Sequence, residues 1–178
     1  MYIVPGTIWI SGITASGKST LGEILTQKLA EAGINNLEFL DGDKLRTRLD
    51  RVYGHSLEER FKVLNKIIQI ARQFNEYGKI VIVATVSHKK IMRATARKEI
   101  ERFMEVNLKC PVEVCIERDY KGIYDKANSL GEYVAGITEP YEMSDNPELI
   151  LDTANLDIDE CSCILFRHSL NFVTSNPL

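Results

Sequence analysis

Nine residues, Gly12-Ile13-Thr14-Ala15-Ser16-Gly17-Lys18-Ser19-Thr20, carry the spacing G-x-x-x-x-G-K-[ST]. A chain with this spacing wraps its backbone around phosphate groups. Gly12 and Gly17 let the main chain curl so that its N–H groups converge on phosphate oxygens. Lys18 supplies a point charge near the β- and γ-phosphates of ATP, and the Ser19 hydroxyl is placed to ligate Mg²⁺. The alternative, a glycine-rich turn without a ligand, does not account for Lys-Ser-Thr following the second glycine.

A second cluster reads Leu40-Asp41-Gly42-Asp43-Lys44-Leu45-Arg46. Asp43 could accept the proton of an attacking hydroxyl, and Asp41 could hold Mg²⁺ through water. Arg46 could pair with an anionic acceptor. One or both aspartates could instead cap a helix beginning near Lys44, and one can cap while the other works. A third group, Ser87-His88-Lys89-Lys90, places a hydroxyl and two cations after an apolar run. Here too a helix cap by Ser87 competes with a substrate contact.

These groups need a scaffold that brings loop ends together. Apolar runs predict strands at Ile8–Ser11, Leu37–Leu40, Ile80–Thr85, Phe103–Leu108 and Leu149–Leu151. Helical periodicity predicts helices at Gly17–Ala32, Leu57–Glu76, Lys89–Arg102 and Pro111–Arg118, with one more from Asn155 onward that frays at Thr174–Leu178. The alternation implies parallel strands joined by crossover helices. Ile80-Val81-Ile82-Val83-Ala84 is apolar throughout, as a central strand covered on both faces should be. Ligands of such sheets sit beyond the carboxyl ends of the strands, where all three clusters emerge. The expected fold is an α/β three-layer sandwich of the P-loop nucleoside triphosphate hydrolase type, one domain over residues 1–178. Residues 119–141 are charged, contain glycine and lack a clear period, which predicts a mobile lid.

At 178 residues the chain can bury a full core without disulfides or structural metals. Its net charge of −3 argues against a surface that coats nucleic acid. No apolar run is long enough for a membrane span, and the first strand begins too early to leave room for a signal peptide. Cys110, Cys115, Cys161 and Cys163 lack metal-site spacing and are expected to be reduced thiols in a cytoplasmic protein.

The strings GITASGKSTL, LDGDKLR, HSLEER, VATVS, VEVCIERDYKGIYDKA, GITEPYE and NPELILDT occur in that order, within about residues 6 to 153. Together they resemble the adenylylsulfate kinase (APS kinase) family. GKST and DGD alone occur in many kinases; CIERDYKGIYDKA and EPYE with NPELILDT are far more specific. The resemblance implies transfer of the ATP γ-phosphate to the 3′-hydroxyl of adenosine 5′-phosphosulfate (APS), giving PAPS and ADP. It implies that Gly12 to Thr20 bind the ATP phosphates, that Arg118 lies against the adenine, and that Asp43, Arg46 and Arg60 face the acceptor. Lys121 matches a lid lysine expected to reach the acceptor's anionic groups. Ser87 matches a serine described as a phosphoserine; direct transfer needs positioning and charge neutralisation rather than a covalent intermediate, so Ser87 is read as a positioning group. A homodimer and a separate ATP sulfurylase are the implied partners.

The chain departs from the family pattern mainly on the acceptor side. Gly54-His55-Ser56 stands where the family has Gly-Phe-Ser, so His55 replaces a stacking phenylalanine. Val63 replaces an asparagine, His88 and Lys89 replace Pro-Tyr/Phe, and Val134 aligns with a second stacking aromatic. An altered acceptor is therefore a second reading: another nucleotide with an anionic 5′ substituent, such as a cytidine diphosphate derivative. A third is a nucleotide-responsive regulatory module, against which the intact Lys18, Ser19, Asp41 and Asp43 argue.

Overall fold

In the computed structural model, residues 2–49, 56–119, 122–124, 134–135 and 137–174 are described. Five parallel strands form one sheet: β1 (Gly6–Ser11), β2 (Leu37–Asp41), β3 (Ile80–Thr85), β4 (Phe103–Lys109) and β5 (Leu149–Asp152). Their order is β2-β3-β1-β4-β5. Helices α1 (Lys18–Glu31), α2 (Gly42–Leu49), α3 (Leu57–Glu76), α4 (Lys90–Glu99), α5 (Val112–Glu117) and α6 (Ile158–Thr174) connect and cover it.

Side-chain alternation along the strands divides the core. Ile8, Ile10, Ile80 and Ile82 pack with Leu21, Leu25 and Leu29 of α1 and with Cys161, Leu165 and Val173 of α6. Trp9, Val81 and Val83 face the other way, against Val63, Leu64, Ile67 and Ile68 of α3 and Met92 and Ala96 of α4. Helices on both faces of a parallel sheet make the expected α/β sandwich. β1 is buried along its whole length.

The register brings the chemistry to one edge. Ser11 pairs with Thr85 on one side and Asn107 on the other, while Asp41 pairs with Ala84. The phosphate loop, the Asp41 turn and the Ser87 turn therefore leave the sheet side by side. This is the carboxyl edge, where consecutive crossovers run to opposite sides of β1.

The expected elements are all present, with shifted ends. α2 begins at Gly42 rather than near Lys44, because Asp41 Oδ1 accepts the N–H groups of Asp43 and Lys44 at 2.9 and 3.0 Å. α4 stops at Glu99, short of the expected Arg102. Ile100 is already extended and 2% exposed, drawn into the core ahead of β4. Ser87 does not cap α4: the N-cap is Lys89, without a side-chain hydrogen bond. No helix among the described residues is long and apolar enough to cross a membrane.

Candidate active site

The phosphate loop leaves β1 through a close contact. A Cβ on Gly12 would lie 2.6 Å from Ser16 Oγ and 3.1 Å from both the Cβ and the carbonyl oxygen of Leu108. Only glycine lets the loop fold back this tightly. Ala15 and Gly17 both take positive φ, 60° and 100°. Such residues turn successive N–H groups toward one concavity, the geometry of an anion nest.

Two side chains from distant segments hold the loop's carbonyls away from that concavity. Tyr124 Oη donates to Thr14 O at 2.8 Å, and Thr153 Oγ1 donates to Ser16 O at 3.1 Å. Gly17 is the N-cap of α1 and offers no side chain to its first N–H groups, and the first turn carries no acidic residue. The positive end of α1 is thus left to a ligand. Lys18 is 6% exposed, and its ammonium donates to Ile13 O at 2.7 Å, at the floor of the nest.

A cavity of about 260 Å³ opens over the loop, walled by Ala15, Lys18, Ser19, Asp43, Arg118 and Asp119 among others. Asp43 therefore lines the same space as Lys18 and Ser19. A second cavity of about 250 Å³ adjoins it and shares Gly17, Thr20 and Arg118. Its walls include Leu21, Leu156, Ile158 and Cys161. A polar cradle leading into an apolar slot edged by a guanidinium suits the phosphates and base of one nucleotide.

The expected catalytic groups divide by role. Asp41 is 7% exposed and spends one oxygen on capping α2. Asp43, in the first turn of that helix, is exposed. Arg46 follows three residues later on the same helical face, half-buried. Arg60 lies in the first turn of α3, which Ser56 and Glu59 close with a capping box. It stands near enough to His88 for its charge to act on that ring. His55 and Lys121 lie outside the described residues, as do Tyr53 and Tyr133.

Ser87 lies two residues beyond β3 with φ 40°, 5% exposed. Its hydroxyl has no hydrogen-bond partner among the described residues. A strained, buried polar group without a partner among the described residues, at the sheet's carboxyl edge, makes Ser87 a candidate substrate contact. Beside it, His88 is 1% exposed, with Nε2 3.1 Å from Glu139 Oε2. Burial lowers its pKa below the usual value; the hydrogen bond to Glu139 opposes this, and the Arg60 charge adds to it. Lys89 pairs with Glu139 at 3.1 Å and Glu142 at 3.5 Å.

Two acceptor-side substitutions have another explanation. Val63 is 6% exposed within the α3 core, and Val134 is 4% exposed against Ile13, Cys115 and Tyr124 behind the loop. Both side chains pack in the interior. Cys115, in the same cluster, is pushed up to about 12, by burial first and then by Cys110, so it stays a thiol at neutral pH. Tyr124 and Thr153 were not expected as site residues. Both lie inside strings that single out the family, yet their spacing from the loop gives no hint of contact.

The adenylylsulphate kinase family model matches residues 4–152. An adenylyl-sulfate kinase of Bacillus licheniformis is 40% identical over 165 residues, covering 90% of this chain and 83% of that protein. One from Rippkaea orientalis is 42% identical over 145 residues, covering 80% and 79%. Among solved structures, the Mycobacterium tuberculosis APS kinase CysC in complex with AMPPNP and APS superposes with a TM-score of 0.85. It is 32% identical, covering 96% of this chain and 99% of that one.

Proposed function

The chain belongs to the adenylylsulphate kinase family, and we infer from that membership the division of labour by which it moves the ATP γ-phosphoryl group to the 3′-hydroxyl of APS, giving PAPS and ADP. The observation that carries this reading is the cavity that Asp43 lines together with Lys18 and Ser19.

ATP lies with its phosphates in the nest from Gly12 to Thr20 and its base in the adjoining slot, against Arg118 and Leu156. Lys18 sits where charge accumulates on the transferring group. Asp43 orients the acceptor hydroxyl and takes its proton as the new P–O bond forms, and the old bond to the ADP oxygen breaks. Arg46, Arg60 and Ser87 hold the acceptor's anionic end on the far side of Asp43. His55 and Lys121 belong to the same acceptor contacts in this reading. Residues 119–141 close over both substrates and keep water from competing with the acceptor. A homodimer, supplied with APS by a separate ATP sulfurylase, completes the reading.

Mg²⁺ suits these residues. Among the described residues no group of three His, Cys, Asp or Glu side chains could cage a metal. Mg²⁺ needs no such cage, since it keeps waters and phosphate oxygens and takes one or two protein oxygens. Ser19, and Asp41 through water, are the groups that would hold it. Held there, the ion would supply positive charge to the ATP phosphates during transfer.

A coupled ADP-release assay across nucleotide acceptors tests the proposal. APS-dependent turnover is expected. Turnover on a cytidine diphosphate derivative with none on APS would overturn the acceptor assignment.

A further inference from the structure

One buried side chain ties together the two segments that flank the acceptor side. Arg93, on α4, is 1% exposed. Its Nη1 donates to the carbonyl oxygen of Ser87 and its Nη2 to that of Glu142. Its Nε lies 3.0 Å from Glu105 Oε1 and 2.7 Å from the Ser144 hydroxyl. The ring of Tyr141 covers the guanidinium, with 5.0 Å between Cζ and the ring centroid. Glu105, on β4, is 4% exposed, and the Ser144 hydroxyl donates to the same Oε1.

A buried ion pair is a weak source of stability, because desolvating both charges offsets most of their attraction. It does fix geometry, since a planar fork with five donors admits few arrangements. What Arg93 fixes is specific. Ser87 is the strained residue whose hydroxyl lacks a partner among the described residues. Glu142 is already bound to the same turn: its N–H donates to His88 O at 2.9 Å, and its carboxylate accepts from Lys90 N at 2.8 Å. Residues 141–144, which run on from the end of the proposed lid, and residues 87–90, which follow β3, are therefore joined through Arg93.

We propose that Arg93, with Glu105 as its counter-charge, is a positioning residue for phosphoryl transfer: it holds the Ser87 turn and the 141–144 segment in the one arrangement that seats the acceptor nucleotide's anionic end. The proposal rests on the function assigned above and names a further determinant of it. Arg93 touches neither substrate; it acts through Ser87.

Two variants test it. Arg93→Lys keeps the charge and loses the fork. The pair Arg93→Met with Glu105→Leu removes both charges at similar volume. In each, the APS KM is expected to rise about tenfold or more while the ATP KM stays within about twofold, a split that a general loss of structure does not produce. Parallel rises in both KM values, or an unchanged APS KM in a folded variant, would overturn the proposal. Should both variants fail to fold by circular dichroism, Ser144→Ala replaces them, with an expected rise of about threefold in APS KM alone; no rise would count against the hub. A wild type that ignores APS refutes the acceptor assignment instead. The hub is then read by amide hydrogen exchange, using Ser144→Ala if only that variant folds. Faster exchange is expected in residues 86–90 and 141–145 together, with 13–20 unchanged, and acceleration of only one segment or neither would refute the hub.

Discussion

Tyr124 donates its phenolic proton to the carbonyl oxygen of Thr14 at 2.8 Å, so a residue beyond α5 holds the phosphate loop from 110 residues away in sequence. Burial raises the phenol's pKa far above neutrality, so it remains a donor at any working pH. With Thr14 O held outward, the neighbouring N–H groups stay aimed at the ligand. Tyr124→Phe keeps the ring in its apolar cluster and removes the hydroxyl that makes this bond. Stability should fall by about 1 kcal/mol, and ATP affinity should drop, read by thermal melting and nucleotide titration. Unchanged ATP affinity would mean that the loop holds its shape unaided.

Lys18 and Asp43 line one cavity, and in the proposed reading both act on charge that develops during transfer. Lys18→Ala and Asp43→Ala should each lower kcat about 10²–10³-fold with the fold intact by circular dichroism. A wild-type kcat in either variant would remove that residue from the mechanism.

Asp41 caps α2, and the proposed function gives it a second, separable duty toward Mg²⁺. Asp41→Ala removes the α2 cap and should cost about 1 kcal/mol of stability. Asp41→Ser restores a capping oxygen without a carboxylate. If Asp41 also holds Mg²⁺ through water, the serine variant recovers melting temperature but needs more Mg²⁺ for half-maximal rate. Recovery of both would leave Asp41 as a cap alone.

His88 makes acid sensitivity predictable in sign. Its folded pKa is lowered by burial, so the folded state resists protonation of a ring that the unfolded chain protonates readily. Stability is fully present above the unfolded value near 6.5 and is lost as pH falls from there through the folded value. The carboxyls of Glu139 and Glu142 are lowered, the first chiefly by the hydrogen bond from Lys89 and the second by that from Lys90 N, so their contribution is lost only below about 4.5. Denaturant melts of His88→Gln should lose the slope between pH 7 and 5 and keep the one at lower pH. An unchanged slope in the upper window would place its origin in another group.

Most of the scaffold was legible because strand and helix periods differ. Ile80–Ala84 is apolar throughout, the pattern of a strand covered on both faces, and Leu57–Glu76 kept a helical period along its length. Helix ends were less legible. The stop at Glu99 depends on Ile100 entering the core, a tertiary effect. The nest from Gly12 to Thr20 is local in sequence, so spacing alone located it. The Tyr124, Thr153 and Arg93 contacts span 110, 137 and 51 residues, the last from Arg93 to Ser144. No local pattern encodes such distances. Val63 and Val134 show the converse: aligned with acceptor contacts, they pack inward, where an apolar side chain belongs.

The most direct test follows the phosphoryl group itself. ATP labelled at the γ-phosphorus is incubated with APS, Mg²⁺ and the protein, and the products are separated. The label should appear on the 3′-oxygen of PAPS, and Lys18→Ala should lose that product about 10²-fold or more. Label found only in inorganic phosphate, or carried to another nucleotide while APS stays unlabelled, would contradict the account.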